Sequence, residues 1–218
     1  MGKEYEFQIL DINVNTMKKK LKELKGKQIH KEIKMRRALF RPCDSDYQIT
    51  FARVRDEGKD TTLTVKKKNK TKYPDEYEVT IKEDFNKALE FMNALNLEKK
   101  SYQENYREKW TLPIKGVHEI TFDTWPGAPT YMEVDCETEE SMNKVRKLLG
   151  VKNDQIMYGN ITKIWGKYYD VTNEYVAENL KSIKFEDFDK KIKPNKNNEM
   201  FNKIINEQKK KYVKNKSK

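Results

Sequence analysis

The sequence predicts an α+β protein in which about eight antiparallel strands form a closed barrel or a strongly curved sheet. Helices wrap the strands, and a helical extension follows them at the C-terminus. Three observations predict this fold. Short segments of alternating polar and apolar residues recur through roughly the first 135 of the 218 residues, and segments with helical spacing interrupt them. The chain beyond residue 160 has a mainly helical pattern. A run of antiparallel strands of this length favours a barrel or a curved sheet.

Residues that favour turns separate the predicted strands. Asp56, Glu57 and Gly58 lie between the third and fourth strands, and a turn near Pro113 and Gly116 joins the sixth and seventh. The eight strands are predicted at 3–10, 33–41, 47–55, 61–67, 76–81, 101–112, 117–124 and 130–135.

Three helices are predicted after the first, the fifth and the last strand, at 14–24, 84–95 and 138–149. Each begins next to a residue that can act as an N-cap. Asn13 or Asn15 caps the first helix, Asp84 caps the second and Thr138 begins the third.

Helical patterns also follow the last predicted strand, at 161–169, 174–181 and 199–213, with a linker at 194–198. We therefore divide the chain into a barrel domain, 1–182, and a basic, partly helical tail, 183–218. The sequence shows no internal repeats.

The formal net charge of +11 indicates an anionic partner. The tail holds 12 lysines and five acidic residues, so it carries +7 of this charge and the barrel domain carries +4. Such a tail is usually a solvated helix end, but its charge also suits electrostatic binding of RNA or DNA.

The chain lacks the signals of a secreted or membrane protein. The N-terminus has no apolar run of the signal-peptide type, and no window approaches about 18 consecutive apolar residues. Cys43 and Cys136 have no metal-ligand spacing and fit a reducing compartment. We therefore expect no membrane partner and a cytoplasmic location, or the host cytoplasm if the gene is viral.

Charged residues share faces along the predicted strands, because residues two apart in a strand point the same way. In an ordinary antiparallel sheet the charged face is solvated. Alternatively, the helices cover the apolar faces from outside, and the charged faces line a wet interior that holds a polyphosphate and a hard cation. The sets that share a face are Glu4, Glu6 and Gln8; Arg53 and Arg55; Thr62, Thr64 and Lys66; Glu76 and Glu78; Asn105, Arg107 and Lys109; and Glu133 and Asp135.

Six short motifs follow one another along these strands. They are EYEFQ at 4–8, FARVR at 51–55, TLTVK at 62–66, EYE at 76–78, SYQENYR at 101–107, and FDTWP at 122–126 with YMEVD at 131–135. In this order they resemble the motifs of the CYTH superfamily, also called triphosphate tunnel metalloenzymes, and the resemblance covers roughly residues 3–182. The last two stretches are most similar to the class IV adenylate cyclase branch.

The resemblance implies an eight-stranded antiparallel barrel that is open at both ends, the triphosphate tunnel. It implies binding of Mg²⁺ or Mn²⁺ and action on a nucleoside triphosphate or inorganic triphosphate. The reaction would be the cyclisation of ATP to cAMP and pyrophosphate, or the hydrolysis of a triphosphate. A homodimer is also expected.

The resemblance also assigns roles to single residues. Glu4, Glu6 and Arg107 would be catalytic, and Glu76 and Glu78 would hold a second metal ion or orient a basic residue. The metal ligands would be Glu4, Glu6, Glu133, Asp135 and Asp123. The phosphate-binding residues would be Arg53, Arg55, Lys66, Arg107 and Lys109.

Two lysines of the family pattern are absent. Gln8 occupies the lysine position of the first motif, and Asn105 occupies that of the fifth. An amide can donate a hydrogen bond to phosphate but carries no charge, so transition-state stabilisation would be weaker. Lys109 and Lys68 could compensate. The alternative is a barrel that binds or sequesters nucleotides without turning them over.

The remaining candidates have simpler interpretations. His30 and His118 have no Cys or His partner nearby in sequence, so we expect surface or packing roles. Trp110 and Trp125 are expected to pack in the core or at its rim, and Trp125 could instead stack on a base. The basic tail supports a further alternative, an RNA 5′-triphosphatase or a basic nucleic-acid-binding protein.

Overall fold

The computed structural model describes residues 5–42, 49–67, 75–169, 171–192 and 198–213. Its strands are β1 (Tyr5–Ile9), β2 (Lys27–Pro42), β3 (Ile49–Asp56), β4 (Thr61–Lys67), β5 (Asp75–Ile81), β6 (Leu97–Thr111), β7 (Val117–Thr124), β8 (Tyr131–Cys136), β9 (Ile156–Met157) and β10 (Ser182–Ile183). Its α-helices are α1 (Val14–Glu23), α2 (Phe85–Ala94), α3 (Glu139–Leu149), α4 (Ile161–Trp165), α5 (Asn173–Asn179), α6 (Phe188–Lys191) and α7 (Asn198–Tyr212). A short 3₁₀ helix, Asn153–Gln155, precedes β9.

All of the strands belong to a single sheet. Its order is β5-β4-β3-β2-β6-β7-β8-β1-β9 with antiparallel neighbours, and β10 pairs in parallel with β6. The prediction of an α+β fold and of eight antiparallel strands is confirmed, whereas the two-residue strands β9 and β10 were not predicted. Over the described residues the strand order ends at β5 and at β9, so a closed eight-stranded barrel is not confirmed.

The three long helices begin at residues that satisfy their first backbone N–H groups. Asn13 accepts a hydrogen bond from the N–H of Thr16 (3.0 Å), Asp84 accepts from the N–H of Lys87 (3.1 Å), and Thr138 caps α3 in a capping box. All three predicted helix starts are therefore confirmed. Of the helices in the described part of the chain, none combines the length and the apolarity that crossing a membrane requires.

These helices cover the outer, apolar face of the sheet. One core cluster joins α1 and α3 to β1, β7 and β8, and a second joins α2 to β2 and β3. The first contains Phe7, Met17, Leu21, Ile120, Val134 and Val145, and the second contains Ala38, Phe40, Val54 and Phe85. Side chains alternate along a strand. Because these apolar residues are buried on the outer face, the charged residues of the same strands lie on the inner face.

The C-terminal helices pack against the turn between β7 and β8. Their core contains Trp125, Trp165, Tyr169, Phe188 and Phe201. The described part of the tail is therefore joined to the barrel strands by a shared core. The division at 182 and 183 stays a prediction about domain organisation.

Gln208 on α7 binds the turn between β7 and β8. Its Nε2 donates to the carbonyl oxygens of Trp125 (2.9 Å) and Ala128 (2.8 Å), and its Oε1 accepts from the N–H of Gly127 (2.8 Å). Gly127 has a φ of 71°, in the left-handed region, and an added Cβ would lie 2.0 Å from Phe188. The turn thus has no room for a side chain at Gly127, and Gln208 forms hydrogen bonds with three of its backbone groups.

We expect Gln208→Leu to lower the free energy of unfolding by about 2–4 kcal/mol, because the buried N–H of Gly127 and the carbonyl of Ala128 lose their partners. The carbonyl of Trp125 keeps its hydrogen bond from the N–H of Ala128 (3.1 Å). Urea denaturation monitored by tryptophan fluorescence measures this change. The matched control is Glu207→Leu on the exposed side of the same helix, which should change stability by less than about 0.5 kcal/mol. Equal stabilities of the two variants would contradict a stabilising role for Gln208.

Candidate active site

The inward faces of β1 to β8 surround a cavity of about 590 Å³. The 159–162 segment and Val176 and Ala177 of α5 complete its wall. The lining includes eight Arg or Lys residues and seven Asp or Glu residues, so the charged faces of these strands line a cavity. The basic ones are Arg37, Arg41, Arg53, Arg55, Lys66, Lys100, Arg107 and Lys109, and the acidic ones are Glu6, Glu57, Glu76, Glu78, Glu119, Glu133 and Asp135.

One side of the cavity, the cationic wall, consists of Arg53, Arg55 and Lys66 with Glu76 and Glu78. Arg53 Nη2 lies 3.1 Å from Glu78 Oε2, and Lys66 Nζ lies 2.5 Å from Glu76 Oε2. Arg55 Nη2 lies 3.6 Å from Glu78. Burial and the charge of Arg55 lower the pKa of Arg53 to about 10, so Arg53 is still protonated at neutral pH. Arg55 also pairs with Glu57, so three glutamates orient the three cations in this geometry.

Arg107 lies between this wall and the carboxylates of β8. Its Nε and Nη2 donate to the two oxygens of Asp123, at 2.8 and 2.7 Å, and Nη2 also donates to Glu133 Oε1 at 3.0 Å. Burial alone would lower the pKa of Arg107, but Asp123 and Glu133 outweigh it and hold the pKa well above the ordinary value. Arg107 is therefore a fixed cation that faces the cavity.

Asp123 lies behind the cavity and has no exposed surface. Besides Arg107, its carboxylate accepts hydrogen bonds from Asn105 Nδ2 (3.0 Å) and Thr121 Oγ1 (2.8 Å). Four hydrogen bonds thus occupy its oxygens. This geometry fits the positioning of Arg107 better than the predicted role of Asp123 as a metal ligand.

The opposite side of the cavity, the carboxylate wall, consists of Glu6, Glu133 and Asp135. Glu6 is directly opposite Asp135 in the β1–β8 ladder, and Gln8 is opposite Glu133, so all four side chains lie on one face. Glu133 Oε2 accepts from Gln8 Nε2 at 3.2 Å. Burial raises the pKa of both Glu133 and Asp135, against the opposing effects of Arg107 on the first and His118 on the second.

The donor atoms of this wall fit a hard divalent cation. Asp135 Oδ1 and Gln8 Oε1 are buried without a hydrogen-bond partner, and carboxylate and amide oxygens are ligands that Mg²⁺ accepts. Among the residues described by the structure, no three His, Cys, Asp or Glu side chains are grouped closely enough to hold a metal ion. Glu4, which is predicted to be both catalytic and a metal ligand, lies outside the described residues.

The two residues that replace the expected lysines are both part of this polar network. Gln8 is 2% exposed and bonded to Glu133, and Asn105 is fully buried between Asp123 and Arg37 Nη2 (2.9 Å). Of the two lysines that could compensate, Lys109 lines the cavity and pairs with Glu119. Lys68 lies outside the described residues.

Sequence reasoning missed Arg37 and Glu119. Arg37 follows Arg36 directly, and charge alone does not decide which of two adjacent arginines faces inward. The apolar residues Ala38 and Phe40 supply the missing signal, because they pack beneath α2 and so direct the odd-numbered residues of β2 toward the cavity.

The isolated histidines and tryptophans mostly behave as predicted. Trp110 is a core residue, and Trp125 is 3% exposed and packs edge-on against Trp165 with ring centroids 6.0 Å apart. His118 is exposed, but its Nδ1 lies 3.3 Å from Asp135 Oδ2. His30 lines the cavity, and its Nδ1 lies 2.8 Å from the carbonyl oxygen of Lys31.

Solved structures share this fold. The PH1012 protein from Pyrococcus horikoshii OT3 is 18% identical (TM-score 0.58, 74% of this chain and 98% of that one). The PH1819 protein from the same organism is 22% identical (TM-score 0.54, 75% of this chain and 98% of that one). A candidate adenylate cyclase from Vibrio parahaemolyticus is 11% identical (TM-score 0.60, 76% of this chain and 98% of that one). No protein-family model and no curated protein matches the chain. At these identities the similarity shows a shared fold.

Proposed function

We propose that the chain is a metal-dependent CYTH enzyme that acts on a nucleoside triphosphate or inorganic triphosphate. One observation carries the proposal. The cationic wall and the carboxylate wall face a single cavity, and Arg107 lies between them. A polyphosphate needs several cations along its length, and a hard metal ion needs carboxylate oxygens beside it.

Arg53, Arg55, Lys66 and Arg107 would bind the phosphate oxygens. In the structure each pairs with carboxylates, and the glutamates of the cationic wall hold the cations in place for an incoming anion. A bound triphosphate would then share or replace these carboxylate contacts. Because the donors are oriented before the ligand binds, the site spends little free energy on reorganisation when charge develops in the transition state.

The residues proposed to hold Mg²⁺ or Mn²⁺ are Glu4, Glu6, Glu133 and Asp135. When bound, the metal ion would neutralise phosphate charge and activate the attacking oxygen. Arg107 would stabilise the negative charge on the reacting phosphate, and Asp123 would keep its guanidinium in position.

Two reactions fit these roles. In hydrolysis, water attacks a phosphoanhydride in line with the leaving phosphate. In cyclisation, the ribose 3′-hydroxyl attacks the α-phosphorus, its proton passes to a base, and pyrophosphate leaves. The name of the Vibrio protein with this fold makes cyclisation one of the first reactions to test.

The proposal is tested by incubating the protein with ATP, GTP and tripolyphosphate in the presence of Mg²⁺ or Mn²⁺. Products are identified by chromatography with mass detection. We expect either cyclic nucleotide plus pyrophosphate or orthophosphate, and we expect excess EDTA to reduce turnover to the uncatalysed rate, because the metal ion supplies charge neutralisation. Turnover that persists in EDTA would contradict a metal-dependent reaction.

A second candidate function is nucleotide binding without turnover. The buried, uncharged Gln8 and Asn105 favour it, because each stands where the family pattern has a lysine. Intact ligand recovered after measurable binding would support this alternative, whereas rapid product formation would exclude it.

The predicted contact of the tail with nucleic acid, and with it an RNA 5′-triphosphatase, has less support. Within the described residues, three tail lysines form ion pairs: Lys191 with Asp187 (2.7 Å), Lys209 with Asp189 (2.6 Å) and Lys211 with Glu32 (2.8 Å). The last three lysines lie outside the described residues. Nucleic-acid binding and the homodimer stay predictions.

A further inference from the structure

We propose that Arg37 is a phosphate-binding residue that supplies the cation missing at position 105. The inference rests on the proposed function and names a residue of its anion site that the sequence motifs do not contain. It predicts that the charge can be placed at either position, 37 or 105, without loss of triphosphate binding.

The first argument is the lack of an anionic partner. Arg37 lines the cavity, and among the described residues it forms no ion pair, unlike Arg53, Arg55 and Arg107. Its one hydrogen bond goes from Nη2 to the neutral amide oxygen of Asn105, and its Nε is buried without a partner. A guanidinium with unused donors in such a place is suited to bind an anion.

The second argument is the repulsion around Arg37. In the β2–β3 ladder Arg37 is directly opposite Arg55, and like charges opposite one another destabilise a sheet. Burial lowers the pKa of Arg37 well below the ordinary value, and Arg53, Arg55 and Arg107 lower it further. An anion between these arginines would remove the repulsion.

The third argument is the fixed orientation of the guanidinium. It stacks on the ring of Trp125, with its central carbon 4.4 Å from the ring centroid. Trp125 belongs to the turn that Gln208 binds, so the stacking surface is itself held by α7. Stacking occupies a face of the guanidinium and leaves its edge, which carries the N–H donors, for hydrogen bonding.

The register explains how Arg37 can replace a lysine at position 105. Asn105 is opposite Met35 in the β2–β6 ladder, and Arg37 is two residues farther along β2 on the same inward face. The Arg37 side chain reaches back to the Asn105 amide, and the amide in turn donates to Asp123. The positive charge therefore lies beside position 105 although it comes from the neighbouring strand.

The experiment measures the affinity for tripolyphosphate by isothermal titration calorimetry, at fixed ionic strength and with Mg²⁺ present. The proteins are the wild type, Arg37→Gln, Arg37→Lys and the double variant Arg37→Gln/Asn105→Lys. The matched control is Arg36→Gln, because Arg36 is adjacent in sequence but pairs with Asp56 on the outer face.

We expect Arg37→Gln to weaken binding roughly 10- to 100-fold, the effect of losing hydrogen bonds to a charged partner. Arg36→Gln should change the affinity for tripolyphosphate less than about twofold. Arg37→Lys should retain most of the affinity, and the double variant should bind at least about tenfold more tightly than Arg37→Gln. A second measurement, thermal unfolding without ligand, separates binding from structure. Arg37→Gln should not lower the unliganded melting temperature, because it removes a repulsive charge, but it should reduce the stabilisation by tripolyphosphate.

Three outcomes would overturn the proposal for Arg37 alone, and the first two are wild-type affinity in Arg37→Gln and a double variant that binds no tighter than the single one. A variant that melts well below the wild type without ligand would show that Arg37 acts through structure, which also overturns it. If the wild type itself binds neither tripolyphosphate nor ATP, the proposed function fails as well.

Discussion

Replacing Glu133 by glutamine should reduce triphosphate turnover at least about 100- to 1,000-fold while the protein stays folded. The side chain keeps its size, so packing around β8 is preserved. The carboxylate charge is lost from the wall that is proposed to hold the metal ion. In addition, the new amide group could point an N–H donor at Arg107 or Gln8, which already donate to this side chain.

Steady-state rates over a range of Mg²⁺ or Mn²⁺ concentrations measure this effect. If Glu133 holds the metal ion, the half-saturating metal concentration should rise together with the loss of rate. The matched control is Glu90→Gln on the exposed side of α2, which should keep the wild-type rate. A Glu133→Gln variant with unchanged rate and metal dependence would remove Glu133 from the proposed site.

Replacing Arg107 by methionine should lower the free energy of unfolding at pH 7 by about 3–5 kcal/mol, because a buried ion pair loses one partner. Asp123, with no exposed surface, and Glu133 would then be buried without their shared cation. The control is Arg36→Met, whose ion pair with Asp56 is part-exposed and should contribute about 0–1 kcal/mol.

The stability of this variant should also depend on pH with a known sign. Burial already raises the pKa of Glu133 in the folded state, and Arg107 opposes that rise. Without Arg107 the pKa of Glu133 rises further. At pH values above the ordinary glutamate pKa, the folded variant therefore binds more protons than the unfolded chain. Its stability should therefore fall as pH increases through that range. Urea denaturation between pH 4.5 and pH 8 measures this, and a pH-independent deficit would contradict the electrostatic explanation.

The central part of the fold was predictable because its signals are local. Alternation predicted all eight main strands, although β2 and β6 begin earlier than predicted, at Lys27 and Leu97. The side chains of Asp84 and Thr138 marked helix starts that the structure confirms. β9 and β10 have two residues each, too few for alternation to be visible. Whether the sheet closes depends on pairing between distant strands, which no local pattern reports.

The candidate site was predictable to a different degree. The alternation of side chains along a strand puts Arg53 with Arg55, and Glu133 with Asp135, on shared faces. The structure brings all four to one cavity. The alternation of side chains along a strand does not show what each side chain contacts. The burial of Asp123 behind Arg107 could therefore not be predicted. Such contacts depend on which strands become neighbours in the folded sheet.

The antiparallel pairing of β1 with β8 has a consequence for the folding kinetics of the chain. Tyr5 pairs with Cys136 and Ile9 with Met132, so the ladder closes a loop of more than a hundred residues. Loop closure on this scale costs entropy before any contact forms, and high contact order slows folding. During synthesis β1 must wait until β8 has left the ribosome, and α7 follows later still. We therefore expect the carboxylate wall to assemble late, after the β2–β5 meander that carries Arg53, Arg55 and Lys66.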